Sequence, residues 1–362
     1  MSGIKVGTIV VALSLLIIGA CTSTREEPIL EASPNSDPTV LRLGTGDALG
    51  LPDTPVVAGF ANAVEELSDG RMRIEVVWEA AENSSVPDGF EKGVVALVQE
   101  GELDLGWIAA RAWDTVGVKS FQAVQAPFLI TDQELLTEVL ASPVADEMIA
   151  GLEDAGVVGL GLYPDGLRYP LGYTAPMTSL EDFDGADIRL VPSEATEALV
   201  RALGGRPVYG LAGDALDAAI ASGDIDGTEV SLALAPTLAQ DVAPRSVITG
   251  NVVLFPRVNT LFAGQELMAS LSEEQRGILA AAAEEAQAIA TGLATEDVQA
   301  FCDAGGEIVV ASRAEVAAME RAARRVYRTL EADPATKTFI DEIRGLKEGQ
   351  PAAEVPASCG GG

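Results

Sequence analysis

The chain has 362 residues, with 23 Lys and Arg against 55 Asp and Glu, a formal charge of −32 at pH 7 and no histidine. A chain this acidic is repelled by nucleic acid and by anionic membrane surfaces, so no nucleic-acid partner is expected. The lack of histidine excludes Ser-His-Asp and Cys-His catalysis and every imidazole metal site.

Met1–Lys5 carries one positive charge, Lys5, and precedes the apolar run Val6–Ala20. That run is shorter than the roughly 20 residues a bilayer crossing needs, and it fits the apolar core of a secretory signal. It ends in Ile18-Gly19-Ala20-Cys21, an aliphatic residue and two small ones before a thiol, which matches the bacterial lipobox. Residues 1–20 are therefore expected to be a lipoprotein signal peptide. Lipid on Cys21 would hold the exported protein at the outer face of the cell membrane. Thr22–Pro38 is rich in Pro, Ser, Asn and charge, and it buries too little apolar surface to offset its ordering entropy. With Cys21 it forms an expected tether over residues 21–38. The folded body is expected from Thr39 to Gly345, with 346–362 as an irregular tail, which leaves room for two domains.

Along the body, strands and helices alternate. Val40–Leu43 reads as a strand, Thr54–Leu67 as a helix, and Ser68-Asp69-Gly70 as the turn into a half-exposed strand over Arg71–Trp78. A helix over Gly89–Gln99, a buried strand over Leu103–Ile108, a helix over Leu135–Leu152 and a strand over Val157–Leu162 follow. Short strands are expected at Ile188–Val191, Pro207–Tyr209 and Gly227–Val230, separated by helices at Ala195–Leu203 and Asp214–Ala221. This order argues for mostly parallel sheets covered by helices. Ser272-Glu273-Glu274-Gln275 is a capping box opening a helix that can run to Ala304. Ser312-Arg313-Ala314-Glu315 is a second box, starting a helix through Ala332 that Asp333-Pro334 ends.

Most chemical motifs fall away on inspection. Gly44-Thr45-Gly46-Asp47-Ala48-Leu49-Gly50 has one residue too many for the dinucleotide fingerprint. Asp224, Asp226 and Glu229 cluster, but the remaining ligands and loop length of an EF-hand are missing. No Gly-x-Ser-x-Gly elbow is present, so neither an enzyme nor a cofactor is expected. Cys302 and Cys359 lie in an exported chain, where disulfides persist. A bridge would pin the tail to the end of a helix, and two free thiols are the alternative. Two arginines stand out: Arg189 beside the short strand Ile188–Val191, and Arg168 just after Val157–Leu162. A guanidinium presents paired donors matched to a carboxylate, whether that carboxylate belongs to a ligand or to an internal ion pair.

Several ordered segments together carry a resemblance. They are Phe60–Val76 (first helix, turn and strand), Gly101-Glu-Leu-Asp-Leu-Gly106 with Gln125-Ala-Pro127-Phe128, and Ser179–Arg189. Leu203-Gly-Gly-Arg-Pro207, Ala221-Ser-Gly-Asp-Ile-Asp226-Gly227-Thr-Glu229 and Leu271-Ser-Glu-Glu-Gln275 follow in order. From Leu41 to Val310 the chain resembles the solute-binding proteins of tripartite ATP-independent periplasmic (TRAP) transporters, of the DctP type. The resemblance implies a two-lobed α/β fold, hinged like a periplasmic binding protein, with a long helix spanning both lobes. Lobe I would comprise 39–165 and 255–293, and lobe II 166–254 and 294–345. It further implies capture of a small solute, a carboxylate, between the lobes of a monomer and its delivery to membrane permease subunits. An orphan binding or sensor lipoprotein of the same fold, without a transporter, is the alternative. Arg189 matches the arginine that commonly holds the carboxylate, Arg168 a second arginine facing the ligand, and Glu229 the acid of the Asp-Gly-x-Glu segment. Val230 stands where many carboxylate-binding members have Asn. Ala109 replaces a polar acid of the sialate binders, and Trp107, Arg111 and Trp113 cluster around it. Both Trp belong either to the cleft or to the core.

Overall fold

Residues 37–81, 90–241, 243, 245–293, 298–348 and 359 are described by the structure, a computed structural model. The signal run, Cys21, nearly all of the tether and most of the tail lie outside the described residues. Ten strands form among the described residues: β1 (Thr39–Thr45), β2 (Met72–Val77), β3 (Leu105–Ala109), β4 (Val157–Gly172), β5 (Asp187–Arg189), β6 (Arg206–Val208), β7 (Gly227–Val230), β8 (Val247–Thr249), β9 (Phe255–Gly264) and β10 (Glu307–Val309). Their order is β2-β1-β3-β9-β4-β7-β5-β6, with β8 beside β4 and β10 beside β8.

Two long strands link two parallel groups. β1 pairs in parallel with β2 and β3, and β5 pairs in parallel with β6 and β7. Between them, β9 runs antiparallel to β3 and β4, and the end of β4 runs antiparallel to β7 and β8. Each half carries its own helices, which gives a two-lobed α/β fold joined along β4 and β9. The sheet is mixed rather than mostly parallel because β9, unforeseen in the sequence, lies between β3 and β4. Its Arg257, Asn259 and Thr260 hide the apolar strand pattern.

The strand expected over Val157–Leu162 continues to Gly172. Register shifts between Gly159 and Gly161 and between Pro164 and Leu167 let it pass from one half to the other. Pro164 has no N–H for the ladder, and Gly166 sits at φ 82°, a region that disfavours a side chain. A bulge here re-aims the side chains beside it, and those are Asp165 and Arg168.

Helix Thr54–Leu67 forms as predicted and buries Val56, Val57, Phe60 and Val64 against helix Glu273–Leu293. The latter opens from its capping box, where Ser272 N donates to Gln275 Oε1 (2.9 Å) and Gln275 N donates to Ser272 Oγ (3.2 Å). Residues 294–297 of the expected Glu273–Ala304 helix lie outside the described residues. Helix Val298–Asp303 then packs on Ala235–Asp241 of the second lobe, so this helical path serves both lobes. Cys302 on that helix is bonded to Cys359, with an S–S distance of 2.06 Å.

Two helical expectations are corrected. Leu135–Leu152 is two helices, Gln133–Leu140 and Pro143–Ala150, because Pro143 breaks the first and suits the opening turn of the second. Asp333-Pro334 starts a helix as well as ending one. Asp333 Oδ1 accepts from Thr336 N at 2.8 Å and caps Pro334–Lys347. Phe339, Ile340 and Ile343 of this helix join Leu135, Leu136 and Met148 in one core. It packs against Ser120–Ala123, Gln133–Leu140 and Pro143–Ala150, and it extends past Gly345. No helix among the described residues is long and apolar enough to cross a membrane.

Candidate functional site

Side chains from both lobes meet along β3, β4, β7 and β9, and the i, i+2 alternation of strands decides which of them face inward. On β7, Glu229 faces the seam, while Val230 turns to the opposite side and is fully buried in the second lobe's apolar core. Val230, which stands where many carboxylate-binding members have Asn, lines neither of the cavities described below. Arg168 comes from β4 just past the bulge, Arg257 from β9, and Arg111 from the turn Ala110–Val116 that follows β3.

Three arginines converge on a narrow cavity of about 190 Å³, whose walls include Arg111, Gln125, Arg168, Glu229 and Arg257. Each guanidinium already has an acid. Arg111 Nη2 donates to both carboxylate oxygens of Glu91 at 3.2 Å. Arg168 Nε lies 3.3 Å from Glu229 Oε2. Arg257 contacts Asp47 Oδ2 through Nη2 and Asp165 Oδ2 through Nε, both at 2.9 Å. Burial raises the Glu91 pKa against the opposing pull of Arg111, and burial lowers the Arg168 pKa against the pull of Glu229. Arg257 goes the other way: burial works to lower its pKa, yet the carboxylates of Asp165, Asp47 and Asp53 raise it.

Pairing leaves several atoms unsatisfied. Arg111 Nε, Gln125 Oε1 and Glu229 Oε2 are buried with no hydrogen-bond partner. A buried polar atom in that state costs about 1–3 kcal/mol, so such atoms around one cavity mark a place for a polar guest.

Arg189, at the end of β5, lines neither cavity. Its Nε and Nη2 donate to Leu211 O at 3.3 and 3.1 Å, and it makes no ion pair among the described residues. Burial lowers its pKa, opposed by the nearby charge of Glu229. Thr228 Oγ1 donates to Arg189 O at 3.0 Å, which ties β5 to the strand that carries Glu229.

A second cavity, of about 460 Å³, continues along the same strands and is walled by Asp53, Trp107, Asp165, Ser231 and Asn259 among others. Trp107 is 1% exposed, its ring centroid lies 4.6 Å from that of Tyr163, and its Nε1 donates to Asp53 Oδ2 at 2.8 Å. It is thus a core residue with one edge on the cavity. Trp113 is core only: its Nε1 donates to Thr260 Oγ1 at 2.8 Å and its ring meets Phe262 edge-on. Asp53 is 4% exposed, and its Oδ1 has no hydrogen-bond partner. Burial and the charge of Asp47 push its pKa up to about 7, against Arg257 and the Trp107 hydrogen bond.

The lobes also touch directly. Asp114 Oδ2 accepts from Ser193 Oγ at 2.9 Å and from Ala195 N at 3.1 Å, at the start of helix Glu194–Leu203. The acidic cluster of the sequence disperses. Asp224 accepts from Ser222 Oγ, Asp226 accepts from Asp187 N, and Glu229 faces Arg168. Among the described residues no group of three or more acids or cysteines is placed to hold a metal.

The structure therefore brings Arg168, Arg111 and Glu229 together, places Trp107 next along and Arg189 beside them, and turns Val230 away. Sequence reasoning missed Arg257, Asp53, Gln125 and Asp165. The reasoning that singled out Arg189, an arginine set among apolar strand residues, applies equally to Arg257 in Phe255-Pro-Arg257-Val-Asn259. Nothing comparable marks Asp53.

Two lobes joined by two long strands, closing on a charged seam, define a solute-binding clamp. The chain belongs to the DctP family, bacterial extracellular solute-binding protein family 7, whose profile matches residues 52–333. This is a family of binding proteins, not enzymes. The chain is 27% identical over 181 residues to the C4-dicarboxylate-binding periplasmic protein DctP of Rhodobacter capsulatus, covering 49% of this chain and 52% of that one. It spans between about a third and a half of the length of the curated relatives it matches. The same fold occurs in a TRAP periplasmic solute binding protein from Desulfovibrio desulfuricans with bound sn-glycerol-3-phosphate. Their TM-score is 0.76 and their identity 17%, covering 86% of this chain and 99% of that one. It occurs also in one from Ralstonia eutropha H16 with bound (S)-2-acetolactate, at a TM-score of 0.74 and 21% identity, covering 86% and 99%.

Proposed function

We propose that this protein captures a small organic acid between its lobes outside the cytoplasm and delivers it to TRAP-type membrane permease subunits. The observation that carries this reading is the cavity between Arg111, Arg168 and Arg257, where the donor Arg111 Nε is buried without a hydrogen-bond partner among the described residues. An arriving carboxylate satisfies Arg111 Nε, and Arg189 adds a guanidinium with no acid of its own. The bound acetolactate of the Ralstonia protein and the dicarboxylate specificity in the name of the Rhodobacter relative agree with an anionic solute. Glu229 holds Arg168 in place, and the contact of Asp114 with Ser193 favours the closed lobes. Residues 1–20 serve as the export signal, lipid on Cys21 anchors the mature chain, and residues up to 38 tether it. Residues 39–165, 255–293 and helix Pro334–Lys347 form one lobe, and 166–254 with 298–330 form the other.

A thermal-shift screen against dicarboxylates, sugar acids and amino acids identifies binders, since a ligand that prefers the folded state raises its melting temperature. Calorimetry on the best binder then compares wild type with Arg189→Ala. Loss of a charge-assisted contact predicts affinity weaker by roughly tenfold or more. Unchanged affinity removes Arg189 from the binding machinery.

A further inference from the structure

The two cavities lie in line. β3 contributes Trp107 to one and Ala109 to the other, β9 contributes Asn259 and Arg257, and the β7 region contributes Ser231 and Glu229. In each case the step is two residues, which along a strand is about 6.6 Å. They are two ends of one cleft.

The ends differ in what they lack. At the arginine end, Arg111, Arg168 and Arg257 are paired to acids, while Arg189 has no ion pair among the described residues. At the other end, Asp47 and Asp165 share Arg257, and Asp53 has only the indole N–H of Trp107. Asp53 Oδ1 is buried in the cavity wall without a donor. The cleft is therefore short of one acceptor at Arg111 Nε and of one hydrogen-bond donor, preferably cationic, beside Asp53. A second carboxylate placed at that end would meet Asp53 and Asp165 together.

We infer that the solute is zwitterionic, an amino-substituted organic acid whose carboxylate lies at the arginine end and whose ammonium lies against Asp53 and Trp107. This rests on the organic-acid reading above and narrows it. The ammonium donates to Asp53 Oδ1, the carboxylate oxygen that the Trp107 indole N–H leaves free. Two residues of strand separate corresponding wall positions of the two ends, a step of about 6 to 7 Å. That suits an amino group at the far end of a chain of four to six carbons. The raised pKa of Asp53 agrees with a carboxylate built to be completed by a cation.

The test is calorimetry on the mature protein with three matched sets of four, five and six carbons: ω-amino acids (4-aminobutyrate to 6-aminohexanoate), dicarboxylates (succinate to adipate) and ω-hydroxy acids. The expected result is that at least one amino acid binds tenfold or more tighter than the dicarboxylate and hydroxy acid of the same length. Asp53→Asn is expected to erase that preference, with circular dichroism and melting confirming that the variant is folded. Dicarboxylates or hydroxy acids binding as well as or better than the amino acids overturns the zwitterion and leaves the organic-acid reading standing. A preference that survives Asp53→Asn also overturns it. Binding of none of the three sets overturns the zwitterion, and failure of every acid in the wider screen overturns both readings.

Discussion

The two ends of the cleft handle charge in opposite ways. The arginine end gathers three guanidinium groups but cancels them one by one against Glu91, Glu229 and the Asp47–Asp165 pair. The Asp53 end holds a carboxylate with no cation of its own, beside two acids that must share Arg257. Counting charges alone would call the first end strongly positive and miss the second. What the site offers a solute is set by the atoms left over after internal pairing: Arg111 Nε and Arg189 at one end, Asp53 Oδ1 at the other. The same distinction reconciles a −32 chain with an anionic guest. Surface charge acts through a screening length of about 8 to 10 Å at physiological salt, whereas buried pairs are screened far less.

Arg257 joins the two ends, so removing it breaks the comparison most severely. Arg257→Ala leaves Asp47 and Asp165 unpaired beside Asp53, all three largely buried. Breaking a buried pair from one side costs about 3–5 kcal/mol, and here two acids lose the same partner. Urea unfolding at pH 7 is expected to show a loss of that order. A loss below about 1 kcal/mol at pH 7 means that this end is solvated and its charges are not set by Arg257.

Asp53→Asn tests the unpaired acid itself. The folded pKa is about 7 against an ordinary 3.8, so between those values the folded protein keeps a proton that the unfolded chain has released. The unfolded state then binds fewer protons, and stability falls as pH rises from about 4 to about 7. Asparagine abolishes that slope and can still accept from Trp107 Nε1. The solute-free variant is expected to gain about 2–4 kcal/mol on wild type at pH 8 and little at pH 4. An equal effect at both pH values means that Asp53 is ionised throughout.

Why one end was legible in the sequence and the other was not follows from the range of the contacts. Helix Thr54–Leu67, its Ser68-Asp69-Gly70 turn and the capping boxes at Ser272 and Ser312 rest on residues three or four apart, and all form where the pattern puts them. Arg168 was visible because a permanently charged group beside a buried strand must be answered somewhere, whereas Arg111 and Glu229 were reached only through the resemblance. β9 was not visible, since the cleft-facing Arg257 and Asn259 interrupt the apolar run by which a buried strand is read. Pro164-Asp165-Gly166, just past the expected end of the strand at Leu162, is a bulge inside a longer strand, because pairing with β9 and β7 on either side carries the chain straight on. Asp53 depends on Trp107, 54 residues away, and on the charge of Asp47 and Asp165. No local pattern encodes a carboxylate whose significance lies in having no cation.

The smallest expected effect separates the Trp107 ring from its N–H. Trp107→Phe keeps an aromatic ring against Tyr163 but removes the only hydrogen bond that Asp53 Oδ2 accepts from a side chain among the described residues. At pH 8 this leaves a buried carboxylate without its donor, at about 1–3 kcal/mol, in addition to a packing loss from the smaller ring. The packing loss is the same whatever stands at position 53, so a double-mutant cycle with Asp53→Asn removes it. The remaining coupling is expected at about 1 kcal/mol at pH 8, where Asp53 is ionised. At pH 5 it should be smaller, because a protonated carboxyl needs the donor less. Coupling that is absent at pH 8 assigns Trp107 to packing alone. Coupling equal at both values means that the indole holds Asp53 by position rather than by charge, and then the contrast between the two ends of the cleft rests on Asp47 and Asp165 instead.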